Sequence, residues 1–229
     1  MRIGAYLKFS LIDYPGKVCA IIFTRGCNFR CPYCHNPELV NSELWGASVP
    51  EEEIFQFLKS RQGKLEAVEI TGGEPTLQPD LATFLGKIKK LNYLVKLDSN
   101  GSRPEVLKKI IELGLVDYLA MDVKAPLEKY QEVTNSPVEP EKIRRSIGII
   151  MNSGLAYEFR TTVVKSQLGR KDILQIGELI KGAQLYVLQK FVPSKVLKPE
   201  FIEEATYSGQ EFRYLKNDCQ EFVVECIVR

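Results

Sequence analysis

The sequence predicts an α/β fold in which about six strand-then-helix units build a parallel sheet. Two observations support this class: short apolar, β-branched runs alternate with longer amphipathic stretches, and several runs end in glycine or polar residues. Strands that alternate with helical stretches of roughly 10 to 15 residues are typical of βαβ units. The length of 229 residues fits one domain, because barrel-type α/β domains commonly reach this size. We therefore predict a single domain over residues 1–229, with a core at about 17–192 and a C-terminal extension at about 193–229.

The first strand and helix show the pattern that later units repeat. The run KVCAIIFTRG (17–26) is apolar, β-branched and ends in glycine, which is typical of a buried strand. The next amphipathic stretch begins near Pro50, carries three glutamates in its first turn and ends at Gly63, as expected of a helix. The run LEAVEITGGEP (65–75) then predicts a second strand followed by a glycine-rich loop.

The remaining chain repeats this order without a linker or a low-complexity stretch. Later helices are predicted over 79–91, 104–113, 139–152 and 172–181. Later strands are predicted at LVKLDSNG (94–101), VDYLAMDVKAP (116–126), AYEFRTTVV (156–164) and QLYVLQKFVP (184–193). The tail ends in EFVVECIVR (221–229), which predicts one further strand.

Composition, charge and hydropathy argue against several classes of function. The formal net charge is +2, and basic and acidic residues are interleaved, so the chain lacks the basic patch of a nucleic-acid-binding protein. No run approaches the roughly 20 apolar residues of a membrane span. The N-terminal segment MRIGAYLKFSLIDYPG contains an aspartate and a Pro-Gly break, unlike a secretory signal. We expect a cytoplasmic protein that binds neither nucleic acid nor membrane.

Four polar motifs follow predicted strands, each at a carboxyl end. They are Cys27 to Cys34, Thr71 to Pro75, Asp98 to Gly101, and Asp122 to Lys124. In barrels and open α/β sheets this edge carries the ligand site, because the loops after the strands converge there. The sequence therefore predicts that the four motifs share one site.

The stretch GCNFRCPYCHNPEL (26–39) holds three of the six cysteines and the only histidine. In a reducing cytosol such a cluster indicates metal or redox chemistry rather than a disulfide framework. A structural zinc site needs four ligands, and His35 directly follows Cys34, so both would rarely bind one metal. A zinc-binding module remains the non-enzyme alternative. A four-iron cluster suits three thiolates better and leaves one iron open for a ligand.

The spacing C-x3-C-x2-C, with Tyr33 before the last cysteine, resembles the signature of the radical S-adenosylmethionine (SAM) enzymes. The continuation His35-Asn36 and the upstream SLIDYPG (10–16) are similar to the glycyl-radical-enzyme activating enzymes, and among these to the activators of anaerobic ribonucleoside-triphosphate reductase. The resemblance implies a partial (β/α)6 TIM-like barrel and a [4Fe-4S] cluster whose open iron binds SAM. The cluster ligands that it implies are Cys27, Cys31 and Cys34.

The resemblance also implies cofactor contacts at the other strand ends. Gly72, Gly73 and Glu74 match a GGEP motif that contacts the methionine amino group of SAM. Asp98 and Ser99 match D-T-N-G, and Asp122 and Lys124 match D-x-K, where paired acids can bind a monovalent cation beside SAM. Tyr33 and Arg160 are further candidates for the cofactor, and Asp13 is a candidate for the partner's peptide.

Simple structural alternatives stay open for several of these residues. Gly-Gly-x-Pro can be an ordinary loop, and Asp-Ser-Asn-Gly can be a turn and helix cap. Arg160 can form an ion pair with a helix, and Asp13 can be a turn acid before Pro15. Cys19, Cys219 and Cys226 are most simply packing residues.

The implied reaction is abstraction of a glycine Cα hydrogen in a large partner enzyme. The partner that the resemblance implies is the large subunit of anaerobic ribonucleotide reductase. Electrons would come from an external donor such as flavodoxin or ferredoxin, because the chain has no ferredoxin-like cysteine insert. A pyruvate formate-lyase type activator and a radical SAM enzyme acting on a small molecule are the alternatives. The segment Leu188 to Phe191 has no histidine, which leaves late-strand SAM contacts open.

Overall fold

The computed structural model describes all residues from 1 to 229. The strands are β1 (Ile3–Ser10), β2 (Cys19–Thr24), β3 (Ala67–Gly72), β4 (Leu94–Ser99), β5 (Tyr118–Asp122), β6 (Ala156–Val163), β7 (Leu185–Lys190) and β8 (Glu225–Val228). The helices are α1 (Pro37–Val40), α2 (Glu51–Ser60), α3 (Leu81–Lys89), α4 (Pro104–Glu112), α5 (Tyr130–Thr134), α6 (Pro140–Met151), α7 (Arg170–Leu179) and α8 (Gly209–Cys219). None of these helices is long and apolar enough to cross a membrane.

Every strand and helix that the sequence predicts is present, and the ends differ by only a few residues. Helix α7 begins at Arg170 rather than at 172. The reason is local: the Asp172 carboxylate accepts a hydrogen bond from the Gly169 backbone N–H at 2.9 Å, so Asp172 lies inside the first turn and Gly169 precedes it.

Strand β1 and helix α8 are not among the predicted elements, although the sequence carries a signal for each. Apolar residues occupy alternate positions from Ile3 to Phe9, which is the period of a strand. Helix α8 begins with a capping box, in which Ser208 accepts from the Glu211 backbone N–H and the Glu211 carboxylate accepts from the Ser208 N–H. The short helices α1 and α5 are also unpredicted.

The chain divides into two compact units. The first comprises Met1–Asn28, Glu38–Ser99 and Glu105–Leu119. Its strands β1 to β4 are ordered as in the chain. Strand β1 is antiparallel to β2, and β2, β3 and β4 are parallel. Strand β2 is almost wholly buried, and helices α2 and α3 bury apolar residues at helical spacing.

The second unit comprises Phe29–Pro37, Asn100–Pro104 and Ala120–Arg229. Its strands β6, β7 and β8 are parallel and neighbour one another in chain order. Helix α8 adds Phe212, Leu215 and Cys219 to the buried apolar residues of this unit. The unit also contains most of the cysteine loop, whose contacts are described below.

Candidate cofactor site

The glycine-rich turn after β3 is fixed against the start of the cysteine loop, within the first unit. The Gly73 N–H donates to the Thr24 carbonyl at 2.9 Å, and the Glu74 N–H donates to the Gly26 carbonyl at 2.8 Å. A Cβ added to Gly73 would lie 2.2 Å from the Gly26 oxygen, and Gly72 has a φ of +112°. Both positions therefore require glycine, because no side chain fits the backbone approach at Gly73 and the conformation at Gly72 favours glycine.

The base of the cysteine loop is closed in the same unit. The Gly26 N–H donates to the Leu39 carbonyl at 2.8 Å, so the residues flanking the loop are hydrogen-bonded to each other. Cys27 directly follows Gly26 and is partly exposed. The glycine-rich turn therefore holds the backbone from which the first cysteine projects.

Glu74 links two of the predicted motifs. Its side chain is almost fully buried, and Oε1 accepts from the Thr76 N–H at 3.0 Å and from the Ser99 hydroxyl at 2.9 Å. The Thr76 hydroxyl also donates to it. These bonds cap the short helical turn Pro75–Leu77 and tie it to the end of β4. The structure thus brings Glu74 and Ser99 together, as expected for a shared site.

Asp98 lies in a buried group of charges that the sequence does not predict. Lys96 Nζ lies 2.6 Å from Asp98 Oδ1 and 3.0 Å from Glu69 Oε1. The Thr71 hydroxyl is 3.5 Å from Asp98 Oδ2. Burial and the charge of Asp98 raise the pKa of Glu69, whereas the charge of Lys96 opposes that rise. The sequence does contain a signal for this group, because Glu69 and Lys96 are opposite charges within the otherwise mostly apolar runs of β3 and β4.

The structural alternative for Asp98 was a turn within Asp-Ser-Asn-Gly, and in the structure the side chain of Asn100 forms that turn. Its side-chain oxygen accepts from the Ser102 N–H at 3.0 Å, which is the pattern of an Asx turn.

Asp13 makes a local contact, because the Ser10 hydroxyl donates to its carboxylate. This bond supports the alternative of a turn acid, and a role of Asp13 toward a partner peptide stays a prediction.

The central part of the cysteine loop packs on α5 in the second unit. The Arg30 N–H donates to the Thr134 carbonyl at 3.0 Å, and the Phe29 ring meets Tyr130 edge-on at 6.2 Å. The Cys34 N–H donates to the Cys31 carbonyl at 3.0 Å, which makes a tight turn between the two cysteines. This turn brings the backbones of the two cysteines close together.

His35 stabilises the loop from its other side. The imidazole stacks on Phe191 with ring centroids 5.6 Å apart, and Nε2 lies 3.0 Å from the Val192 carbonyl oxygen. The same phenyl ring meets Tyr33 edge-on at 6.5 Å. His35 therefore acts as a packing residue of the loop, in agreement with its interpretation as a family marker rather than a metal ligand.

A second group of charges lies beside this loop. Asp122 pairs with Lys124 at 3.0 Å and with Arg160 at 3.0 Å. Although burial favours the neutral amine, the charge of Asp122 keeps the pKa of Lys124 well above its usual value. Lys124 Nζ also lies 6.0 Å from the centre of the Tyr33 ring. Arg160 thus pairs with two strand residues, Asp122 and, at 3.8 Å, Glu158.

The side chains of Cys31, Tyr33 and Lys124 lie close enough to influence one another electrostatically. Burial raises the pKa of Cys31 to about 11, and the positive charge of Lys124 opposes that rise. The Tyr33 hydroxyl is fully buried and has no hydrogen-bond partner. None of the cysteines forms a disulfide. Thiols in this setting, an ammonium group and an unpaired buried hydroxyl suit a bound iron–sulfur cluster and a polar cofactor.

The unpaired hydroxyl of Tyr33 leads to a prediction. In the protein without cofactors, Tyr33→Phe should leave the melting temperature unchanged or raise it, because an unpaired buried hydroxyl costs about 1–3 kcal/mol. With the cluster present, the Kd for SAM measured by equilibrium dialysis should rise about 5- to 10-fold if the hydroxyl pairs with the cofactor. An unchanged or lower Kd would contradict this role.

The matched control is Tyr130→Phe. The Tyr130 hydroxyl is also buried, but it accepts from the Lys124 N–H at 3.1 Å and donates to the Asp122 carbonyl at 3.4 Å. Its removal should therefore lower the free energy of unfolding by about 1–2 kcal/mol. Opposite effects of the two substitutions on apo stability would separate an unpaired hydroxyl from a structural one.

Comparison with known proteins identifies the class. Residues 21–179 match the Radical SAM superfamily. Over 232 residues the chain is 34% identical to a Methanocaldococcus jannaschii protein assigned as a glycyl-radical enzyme activating enzyme, covering 99% of this chain and 95% of that protein. It is 27% identical to 7-carboxy-7-deazaguanine synthase of Thermococcus kodakarensis over 203 residues, covering 80% of this chain and 78% of the synthase.

Solved structures share the fold. The chain matches Streptococcus suis SuiB bound to S-adenosylmethionine with a TM-score of 0.66 at 16% identity, over 89% of this chain. It spans about half of SuiB, 48% of that chain. A domain of pyruvate-formate lyase-activating enzyme from Bacteroides vulgatus matches with a TM-score of 0.56 at 17% identity, covering 72% of this chain and 99% of that one.

The chain belongs to the radical SAM superfamily. It is a radical SAM enzyme, and its cofactors are those of the family, a [4Fe-4S] cluster and SAM. The predicted fold class, an α/β fold of the radical SAM type with a partial TIM-like barrel, is confirmed.

Proposed function

We propose that this enzyme activates a glycyl radical enzyme by removing a Cα hydrogen from one of its glycines. The observation that carries this proposal is the 34% identity to the Methanocaldococcus jannaschii activating enzyme, which extends over nearly the whole of both chains. The His35 contacts add support, because the residue that marks the activating enzymes in the sequence has a defined place in the cysteine loop.

In this proposal the cysteine loop holds the cluster through Cys27, Cys31 and Cys34. When bound, the reduced cluster and SAM supply a one-electron cleavage that yields methionine and a 5′-deoxyadenosyl radical, which takes the hydrogen. The protein supplies the position of these groups. The turn at Gly72 and Gly73 fixes the backbone before the first cysteine, and His35 packs the loop after the last one.

The polar side chains have separate roles in binding SAM. The residues proposed for this role are Gly72, Gly73, Glu74, Asp98, Ser99, Tyr33, Asp122, Lys124 and Arg160. Asp98 and Asp122 carry carboxylates that suit a monovalent cation, since such ions prefer hard oxygen ligands. The Asp122 carboxylate is oriented by Lys124 and Arg160, which leaves it fixed for this task. Asp13 would contact the partner's peptide.

The partner proposed is the large subunit of anaerobic ribonucleotide reductase, and the electron donor is flavodoxin or ferredoxin. The test mixes anaerobically reconstituted protein, SAM and dithionite with that subunit. We expect a glycyl-radical doublet by electron paramagnetic resonance together with 5′-deoxyadenosine. A reductase variant with alanine in place of the radical glycine is the control and should give no doublet. A doublet with pyruvate formate-lyase instead would replace the proposed partner.

A small-molecule reaction is the second candidate, favoured by the similarity to 7-carboxy-7-deazaguanine synthase over 80% of this chain. Its test is incubation with the synthase's substrate under the same conditions. Turnover of that substrate, with no doublet on either glycyl radical enzyme, would overturn the proposed function.

A further inference from the structure

We propose that Glu69 and Lys96 are positioning residues, which hold Asp98 in place at the end of β4 for the cofactor site. The inference rests on the proposed role of Asp98 in binding SAM or its companion cation. It assigns a task to two residues that belong to none of the motifs in the sequence.

The strands place the three side chains side by side. Glu69 on β3 is the register partner of Lys96 on β4. Asp98 lies two residues beyond Lys96, on the same face of the strand, because side chains alternate along a strand with a period of two. The register of two buried strands therefore fixes the geometry, and no loop has to close to form it.

Lys96 contacts both Glu69 and Asp98, and Glu69 also lies next to Asp98. Lys96 is 1% exposed and Glu69 is 3% exposed. The ammonium group lies 3.0 Å from Glu69 Oε1 and 2.6 Å from Asp98 Oδ1. A lysine held on one side by Glu69 has little freedom, so its shorter bond fixes one oxygen of Asp98. A side chain locked by packing and hydrogen bonds in this way is what a precise site requires.

Stability alone is a poor explanation for these buried charges. Replacing a buried ion pair by apolar residues of similar volume is often neutral or stabilising. In addition, Glu69 Oε2 is buried without a hydrogen-bond partner, which lowers stability further. The arrangement therefore carries a cost, and it lies directly against Asp98, one of the predicted site residues.

The test is the double variant Glu69→Leu/Lys96→Met in the reconstituted enzyme. The substitutions remove the charged groups of Glu69 and Lys96 but nearly keep their side-chain volumes. The variant therefore separates a role in positioning Asp98 from a role in packing. We expect a folded enzyme with a lower melting temperature, because Asp98 stays buried without its ammonium partner. Its iron content should remain close to that of the wild type, but its Kd for SAM should be at least about 10-fold higher by equilibrium dialysis. In 5′-deoxyadenosine formation, KM for SAM should rise more than kcat falls.

A double-mutant cycle shows whether the effect passes through Asp98. In the wild-type background Asp98→Asn should weaken SAM binding, whereas in the double variant it should add little, because the support is already gone. The matched control is Lys89→Met, which breaks a 2.7 Å ion pair with Asp117 in the same unit and should leave the Kd unchanged.

The remaining outcomes overturn the proposal. A stable double variant with the wild-type Kd would show that the pair does not position Asp98, and so would additive effects in the cycle. A double variant that fails to fold would show a structural role. Because SAM binding is measured without a partner enzyme, normal binding with no glycyl radical would count only against the proposed function.

Discussion

Replacing Cys34 by alanine is expected to abolish cluster assembly and, with it, the cleavage of SAM. The reason is that, in the proposed site, the thiolates of Cys27, Cys31 and Cys34 hold the cluster, and the loss of one of them leaves a second iron without a protein ligand. Iron content after anaerobic reconstitution should fall from about four to less than about one per chain. Formation of 5′-deoxyadenosine should fall more than 100-fold, since even changes beside metal ligands cost about 10- to 100-fold.

The control for this variant is Cys226→Ala, which removes a buried thiol of β8 that belongs to no predicted motif. It should keep about four irons and most of the activity. If Cys34→Ala retained the iron while Cys226→Ala lost it, the assignment of the cluster ligands would be wrong. Replacement of Cys27 or Cys31 is expected to match Cys34→Ala.

Gly73→Ala is expected to have the largest effect on stability. The added Cβ would lie 2.2 Å from the oxygen and 2.7 Å from the carbonyl carbon of Gly26, and these backbone atoms cannot turn aside as a flexible side chain could. The free energy of unfolding should fall by about 4 kcal/mol, the range of severe core substitutions. Chemical denaturation of the protein without cofactors measures this. Where the variant folds, its reconstituted iron content should also be low, because the strain falls on the residue before Cys27.

Gly148→Ala is the matched control for the same chemical change. Gly148 lies within α6, and an added Cβ there meets no atom within 4 Å. Alanine in a helix should raise stability by about 0.5–1 kcal/mol, because it restricts the unfolded chain. Equal effects of the two substitutions would contradict the close approach of Gly73 to Gly26.

Local sequence patterns were sufficient for most of the fold. The period of apolar residues and the positions of proline and glycine place α2 and the strands that precede the motifs, because these signals act within one element. Strand β1 and helix α8 carry equally local signals, in the alternation from Ile3 to Phe9 and the capping pair Ser208 and Glu211. Both elements lie outside the repeating strand-then-helix units, so the repeat itself does not indicate them.

The site was less accessible to sequence reasoning, since its contacts join residues far apart in the chain. The motif at Gly72 and Gly73 is predicted to bring backbone near a ligand, and the structure adds that Gly73 also approaches the backbone of Gly26, which the sequence does not indicate. The pairing of Glu69 with Lys96 depends on the register of two strands, which no single segment specifies. The family resemblance implied a role for Gly72 and Gly73 but none for Glu69 and Lys96, whose pairing appears only in the folded chain.

The packing of His35 also has a consequence for biosynthesis. The ring of His35 rests on Phe191, its Nε2 lies near the carbonyl of a residue 157 positions later in the chain, and the Lys198 N–H donates to the Pro32 carbonyl at 3.0 Å. The cysteine loop is synthesised early, whereas the residues that pack against it, Phe191 to Lys198, are synthesised near the end of translation. Contacts of such long sequence separation form late in folding. Iron insertion is therefore expected to follow near-complete translation, and nascent chains that stop before Phe191 should expose unbraced thiols to premature oxidation.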